Sequence, residues 1–254
     1  MAGCARALTG GPAIGVLGDA PYSDDEVERL DRVIDEINTQ PLAFVAHVGD
    51  IGASTPQQAC GDAWLLQRKA QFGRIRHPFV LLPGDNEWAD CKDSLERLKR
   101  WRAFFCKPTL PVVVQDGEYC EHMRWEFAGR VFVALNVPGR NNNIRQAEHA
   151  PRMQAVLSWL DEAAALAEKR AGLVILMQAN PFITLPRDGF AALRNRLEEL
   201  GKRFPGRIVL IHGDTHVYKD DEPLPGLRRI EVWGSPIVAW HLVPLTARPS
   251  RSPR

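Results

Sequence analysis

The sequence predicts an α/β fold with strands running in mixed directions, and three observations predict it. Short apolar, β-like runs alternate with amphipathic helical segments from Ala13 to Phe105. A β-rich stretch, Met123 to Val137, then breaks the alternation, with Gly129 placed to turn a hairpin and so to bring antiparallel strands. Finally, four apolar runs end in Gly-Asp: AIGVLGD (Asp19), LAFVAHVGD (Asp50), FVLLPGD (Asp85) and RIVLIHGD (Asp214).

The elements follow in order. A first strand covers Ala13 to Gly18. Asp24 to Asn38 reads as a helix, since Val27, Leu30, Val33, Ile34 and Ile37 share one face, and Ser23 or Asp24 is placed to cap it. Leu42 to Val48 is a second strand, Gln57 to Phe72 a helix, and Phe79 to Leu82 a third strand. Leu95, Leu98, Trp101 and Phe105 mark another amphipathic helix, ended by Pro108. After the Met123–Val137 hairpin comes a polar loop, Arg140 to Asn143. A long helix then runs from Gln146 to Lys169, a strand from Leu173 to Met177, a helix from Gly189 to Phe204 and a strand from Arg207 to Ile211. A closing hairpin is expected between Arg229 and Val243, turning at Ser235-Pro236.

With 254 residues, no internal repeat and no long linker, one domain over 13–246 is expected. A flexible N-terminus (1–12) and a polar, Pro-rich, disordered tail (247–254) flank it. Thirty-two Lys and Arg against 31 Asp and Glu give no global attraction to nucleic acid or acidic membrane. The run Arg97, Lys99, Arg100 and Arg102 alternates with Leu98 and Trp101, as the solvated face of a helix does. No apolar stretch reaches the roughly 18 residues that span a bilayer. Five cysteines leave two arrangements open: disulfides among Cys60, Cys91, Cys106 and Cys120, or free buried thiols. No charged region followed by an apolar one forms a signal peptide, so the chain as it stands is expected in the cytoplasm. Met1-Ala2-Gly3-Cys4 resembles the end of a bacterial lipoprotein signal, and a lost signal would imply a periplasmic or lipid-anchored protein.

The Gly-Asp repeats carry the chemistry. If the four runs are neighbouring strands of one sheet, their carboxylates emerge together at the edge where open α/β sheets bind ligands. Four crowded anions call for a positive partner, and carboxylate oxygens suit hard divalent cations. A lone strand-Gly-Asp reads more readily as a helix N-cap than as a ligand. Four recurrences weaken that reading, and HGDTHV leads into no helix while adding His216 to Asp214. His47 and His212 lie inside apolar runs, where a histidine is more often a core residue than a reactive one. Trp88 either lines an entrance or packs.

In these motifs the chain resembles the calcineurin-like metallophosphoesterases. That family carries Asp-x-His, Gly-Asp, Gly-Asn-His-Asp/Glu, a lone His and Gly-His-x-His. Here the places read Asp19-Ala20-Pro21-Tyr22, Gly49-Asp50, Gly84-Asp85-Asn86-Glu87, Gln178-Ala179-Asn180-Pro181 and Gly213-Asp214-Thr215-His216. The resemblance implies a four-layer αββα sandwich with two mixed β-sheets, and a two-metal site that hydrolyses phosphate mono- or diesters by in-line attack of a metal-bound water. It places Asp50 between two ions, Asp19 and His216 on one, and Asp85 and Asp214 on the other, with a side-chain oxygen of Gln178 or Asn180 as a further ligand. Asn86 is then expected to bind a phosphate oxygen, with Glu87 or His212 as proton donor, and the loop Asn141, Asn142 and Asn143 to reach substrate. Several of the family's histidines are replaced, mostly by oxygen donors. That set favours Mn or Mg over Zn or Fe. The substrate is expected to be a phosphorylated small molecule or macromolecule. The alternative is a protein of this fold that binds a ligand or partner without catalysis.

Overall fold

The computed structural model describes residues 13–245. The expected flexible N-terminus and polar tail lie outside them. Along the chain run β1 (Ala13–Leu17), α1 (Asp24–Ile37), β2 (Val45–His47), α2 (Asp62–Phe72), β3 (Phe79–Leu81), α3 (Ser94–Phe105) and β4 (Val113–Val114). Then come β5 (Met123–Phe127), β6 (Arg130–Ala134), a short turn α4 (Gly139–Asn142), α5 (His149–Ala167), β7 (Gly172–Leu176), α6 (Ala191–Arg203) and β8 (Ile208–His212). The last strands are β9 (Lys219–Leu224), β10 (Leu227–Glu231) and β11 (His241–Pro244).

The strands form two mixed sheets, in the orders β11-β1-β2-β3 and β4-β5-β6-β7-β8-β10-β9. β1, β2 and β3 are parallel neighbours, as are β6, β7 and β8. Strands buried on both faces need apolar residues throughout, and this is why their sequences run rather than alternate. One core lies between the sheets, where Val16, Ala46 and Val80 of the first meet Phe132, Val174 and Ile211 of the second. Phe44 holds Trp125 and Phe132 edge-on at ring-centre distances of 5.5 and 5.2 Å, contacts worth about 1 kcal/mol each beyond simple burial. A second core packs Leu30, Ile34, Leu65 and Trp101 of α1–α3 on the outside of the smaller sheet. A third packs Val156, Leu160, Leu193 and Leu197 of α5 and α6 on the outside of the larger. The four-layer αββα sandwich is therefore observed.

Two expectations are corrected. The closing hairpin does not form between Arg229 and Val243. β10 instead turns back on β9, and β11 crosses to the other sheet to pair antiparallel with β1. Charge hides β9 in the sequence: KDDEPL is an edge strand, where exposed charges and a proline are tolerated and protect an open edge. The helix expected from Gln57 begins at Asp62, after the Gly61 cap. Asp62 is gripped by Arg97 and Arg100, while Arg102 pairs with Glu121 at 2.7 Å, so the basic run of α3 is largely neutralised. Both disulfides are present, Cys60–Cys91 and Cys106–Cys120, with Cα atoms 5.6 and 5.7 Å apart. Each closes a loop and stabilises by about 3 kcal/mol on the chain-entropy account. Among the described residues no helix is long and apolar enough to cross a membrane.

Candidate metal centre

The ends of parallel strands in both sheets converge on one edge of the sandwich. β1, β2 and β3 deliver Asp19, Asp50 and Asp85, β7 delivers Gln178 and Asn180, and β8 delivers Asp214 and His216. The carboxylates thus come three from one sheet and one from the other, not from a single sheet. None of them caps a helix, since the caps of α1, α2 and α3 are Ser23, Gly61 and Asp93. Instead the backbone turns left-handed at Asp19 (φ 49°), Asp50 (φ 59°), Asp214 (φ 86°) and His216 (φ 60°). Asp tolerates this region better than most residues, at a cost of order 1 kcal/mol each, and such strain gathers at ligand sites.

Hydrogen bonds knit the motifs together. The Asp214 N–H donates to both oxygens of Asp19, at 3.1 and 3.0 Å. The Asn86 N–H donates to Asp50 Oδ1 at 3.0 Å, and the Asn180 N–H to Asp214 Oδ2 at 2.8 Å. Asp50 Oδ2 accepts from Gln178 Nε2 at 3.1 Å and from the Tyr22 hydroxyl at 3.2 Å. Glycines make room for these carboxylates: a Cβ on Gly84 would collide with Asp50 Oδ1, and one on Gly213 with Asp19 Oδ2. On Gly139 it would stand 2.7 Å from Asp214 Oδ1 and 2.8 Å from both oxygens of Asp85. Gly213→Ala is therefore expected to displace Asp19 and to weaken divalent-ion binding at least tenfold while the circular dichroism spectrum stays native. Calorimetric titration of both proteins with Mn checks this.

The electrostatics are unusual. Asp19, Asp50 and Asp85 are buried and Asp214 is partly so. Two other buried acids here have cations, Glu121 with Arg102 at 2.7 Å and Glu231 with Lys219, while Glu26 and Glu87 are held by neutral N–H and O–H donors. Among the described residues no Lys or Arg pairs with any of the four aspartates. Burial, together with the charges of Asp214 and Asp85, holds the Asp19 carboxyl well above the usual range. Burial and the charges of Asp85, Glu87 and Asp19 do the same to Asp50. Asp85 is pushed up to about 7, by burial and then by Asp214, and Asp214 to about 6, mainly by burial. Such a pocket must take up either protons or cations. Its donors, acceptor-only oxygens with one imidazole, fit a hard divalent ion. Among the described residues no three of these side chains bring their ligand atoms within 4.8 Å of one another. Ligands about 2.1 Å from one ion lie at most about 4.2 Å apart, so loading requires the side chains to draw together.

Other expected residues are placed differently from the sequence reading. Gln178 turns its oxygen to the Gly139 N–H, at 2.5 Å, and its amine to Asp50. Asn180 spends its oxygen on the Phe182 N–H and points its amine at Glu231. Neither therefore offers an oxygen ligand as it stands, because crowded carboxylates attract donors. Glu87 does not face the centre. It is fully buried and accepts the N–H groups of Asp50, Ile51 and Gly84, so it braces the turns. Asn86 does face it, its amide donating to the Tyr22 hydroxyl at 2.9 Å.

The asparagine loop makes several bonds to the protein itself. The Asn142 amine donates to Gly189 O at 2.8 Å and its oxygen accepts from Arg152 Nη1 at 2.7 Å. Asn143 donates to Glu148 at 3.0 Å, and Asn141 accepts from the Gly189 N–H at 2.8 Å while donating to Arg187 O. These side chains hold a left-handed turn, a conformation asparagine tolerates. His47 and His212 are core residues, held neutral by burial with pKa values of about 4. Trp88 packs, fully buried, beside Ala89 and Leu98. Tyr22 is the residue that sequence reading missed. It follows Pro21, which stands at the place of the first motif's His, and its hydroxyl meets Asp50, Asn86 and, at 3.5 Å, His216 Nε2.

No protein-family model matches the chain, and no curated protein matches it in sequence. Its architecture does match solved structures. A dimetal phosphatase from Danio rerio superposes with a TM-score of 0.58 at 15% identity, covering 87% of each chain. The fold is metallophosphoesterase-like. The metallophosphoesterase-like sandwich is shared with a 5′-nucleotidase from Candida albicans (TM-score 0.53, 11% identity, 91% of this chain and 47% of that one). It is also shared with GAP50, the anchor in the inner membrane complex of Plasmodium (TM-score 0.54, 12% identity, 87% and 71%). At these identities the likeness describes the fold.

Proposed function

We propose that this edge of the sandwich binds divalent cations, Mn or Mg in preference to Zn or Fe, and that the protein is a metal-dependent phosphoesterase acting on phosphate mono- or diesters. One observation carries the reading: four desolvated aspartates converge with no Lys or Arg paired to any of them among the described residues. Asp19 and His216 would hold one ion, Asp85 and Asp214 a second, and Asp50 both. Bound ions supply Lewis acidity and a water acidified to near-neutral pKa. The chain's own residues do the rest. The Asn86 amide orients a phosphoryl oxygen. Tyr22 keeps its proton, because burial and then the charge of Asp50 raise its ionisation; here the hydroxyl donates to Asp50, and with an ester bound it would be the nearby neutral donor for a phosphoryl oxygen. Gln178 steadies ionised Asp19, Asp50 and Asp214 through its amine. Tyr22→Phe, which removes one hydroxyl from a packed ring, is expected to lower kcat/KM about 10–100-fold with little loss of stability. Parallel kinetics and thermal melts check it.

A second reading, ligand or partner binding without catalysis, is favoured by the wide spacing of the ligand atoms. GAP50, named as an anchor, has the same fold, and a fold does not fix an activity. Both readings predict metal binding, so melting in chelator against Mn or Mg tests the centre alone. A saturating ion that binds only the folded state at 100 times its Kd adds about 2.7 kcal/mol. Hydrolysis of an aryl phosphate and of an aryl phosphodiester then separates them: turnover that needs the ion supports the phosphoesterase, and binding without turnover supports the alternative. A melting temperature indifferent to both chelator and ions would sink the centre itself.

A further inference from the structure

The turn that follows β6 has a second feature, which bears on what ester the centre takes. Arg140, Asn141, Asn142 and Asn143 have φ values of 44°, 55°, 54° and 53°, four consecutive left-handed residues without a glycine. Strain of this kind persists only where surrounding bonds fix it, and it clusters at ligand clamps. Here the buried amide of Asn142 and the guanidinium of Arg152 fix it. Gly139, at the start of the turn, touches the space of Asp85 and Asp214, so the turn is the wall of the centre on that side. Residues of the same turn line a cavity of about 360 Å³, with Arg140, Asn141, Asn143, Arg145, Gln146 and Leu185 among its lining.

The charge of this cavity is opposite to that of the centre. No acidic side chain lines it. Arg140 is half-exposed and shared with Asp90 at 3.2 Å and the Ala89 carbonyl. Arg145 is exposed and has no ion-pair or hydrogen-bond partner among the described residues. An arginine whose five donors are unused, beside a second arginine and an aliphatic wall, suits a carboxylate or phosphate on a small organic body. A strongly anionic ester would also be steered to this side of an otherwise acidic edge.

We propose that the cavity at the left-handed turn is a subsite for a second anionic group, so that the substrates of the centre are small phosphate esters bearing two anions, one at the ions and one at Arg145 and Arg140. This rests on the phosphoesterase reading above. The test uses two aryl esters that differ only in that second anion, 3-carboxyphenyl phosphate and 3-carbamoylphenyl phosphate, with the Mn-loaded protein and its Arg145→Glu variant. The native protein is expected to favour the carboxylate ester about tenfold in kcat/KM, mostly through KM, the scale of one charge-assisted hydrogen bond. Arg145→Glu should abolish or invert that preference, and Arg145→Lys should restore part of it. Equal use of the two esters by the native protein, or a preference that survives Arg145→Glu, overturns the subsite. Calorimetric binding of the matching non-hydrolysable phosphonates keeps the two claims apart. A carboxylate preference in binding that vanishes in Arg145→Glu supports the subsite even if neither ester is turned over, in which case the phosphoesterase reading alone has failed. Absence of that preference in binding overturns the subsite whatever the turnover.

Discussion

Asp50→Asn is expected to lose its divalent ions and at least 10³-fold of its turnover while the metal-free protein keeps or gains stability. The two effects have one cause. Asp50 accepts from the Asn86 N–H, the Gln178 amine and the Tyr22 hydroxyl, and lies among the charges of Asp85, Glu87 and Asp19. If Asp50 holds both ions as proposed, its charge would be attracted by them, and an amide would supply one oxygen and no charge. Without them, the same charge is desolvated and repelled, so its removal relieves the fold. Bound metal, phosphoesterase rate and melting temperature in chelator decide it together. A variant that retains metal and rate would make Asp50 a structural residue. A variant that loses stability in chelator would show that the acidic centre is not under repulsion.

The second large effect is a pH dependence of stability that changes shape with metal. His47, His122 and His212 are buried and held at about 4, below the unfolded value of about 6.5. The unfolded chain binds more protons between those values, so each histidine stabilises above pH 6.5 and loses that contribution as pH falls toward 4, at up to about 1.4 kcal/mol per unit. Asp85, at about 7, and Asp214, at about 6, act with the opposite sign. Their contribution is complete below the unfolded value of about 3.9 and is lost as pH rises through 6 and 7. Asp19, Asp50 and Glu87, also held above the usual carboxylate range, act in the same direction as Asp85 and Asp214, so in chelator the acids at least offset the histidines and stability should not fall as pH drops from 6.5 to 4. With Mn the aspartates are held ionised, their opposing term disappears, and stability should fall steeply as pH drops through that window. Denaturant melts at several pH values, with Mn and with chelator, are the measurement. Equally steep profiles in both would show that no ion engages these carboxylates.

The fold and the centre's carboxylates were legible in the sequence for a local reason. A strand buried on both faces is written as an unbroken apolar run, and a Gly-Asp at its end marks the turn where the chain leaves the sheet. Asp19, Asp50, Asp85, Asp214 and His216 could therefore be named from periodicity and order alone, and the family resemblance added how two sheets bring them to one edge. Asn86 was legible as the neighbour of Asp85. The helices α1, α3, α5 and α6 declared themselves by their apolar faces.

What tertiary structure decided is where polar side chains spend their hydrogen bonds, which depends on neighbours far away in the sequence. Glu87 looks like an acid beside the centre, but three backbone N–H groups from two turns claim it. Gln178 looks like an oxygen ligand, but Gly139, 39 residues away, takes its oxygen. Asn141 to Asn143 look like a substrate loop, but Arg152, Glu148 and Gly189 use their amides to hold a left-handed turn. Tyr22 looked incidental because its partners Asn86 and His216 lie 64 and 194 residues on. β9 was missed and the partner of β11 misread for a related reason: an edge strand need bury only part of itself, so β9 carries charge, and only pairing shows which sheet β11 joins. The sequence by itself determined the elements and the acidic residues that end them, since both follow from which backbone is buried. The packing of two sheets then determined which of those residues face the centre, because a buried polar atom must find its partner wherever the fold has placed one.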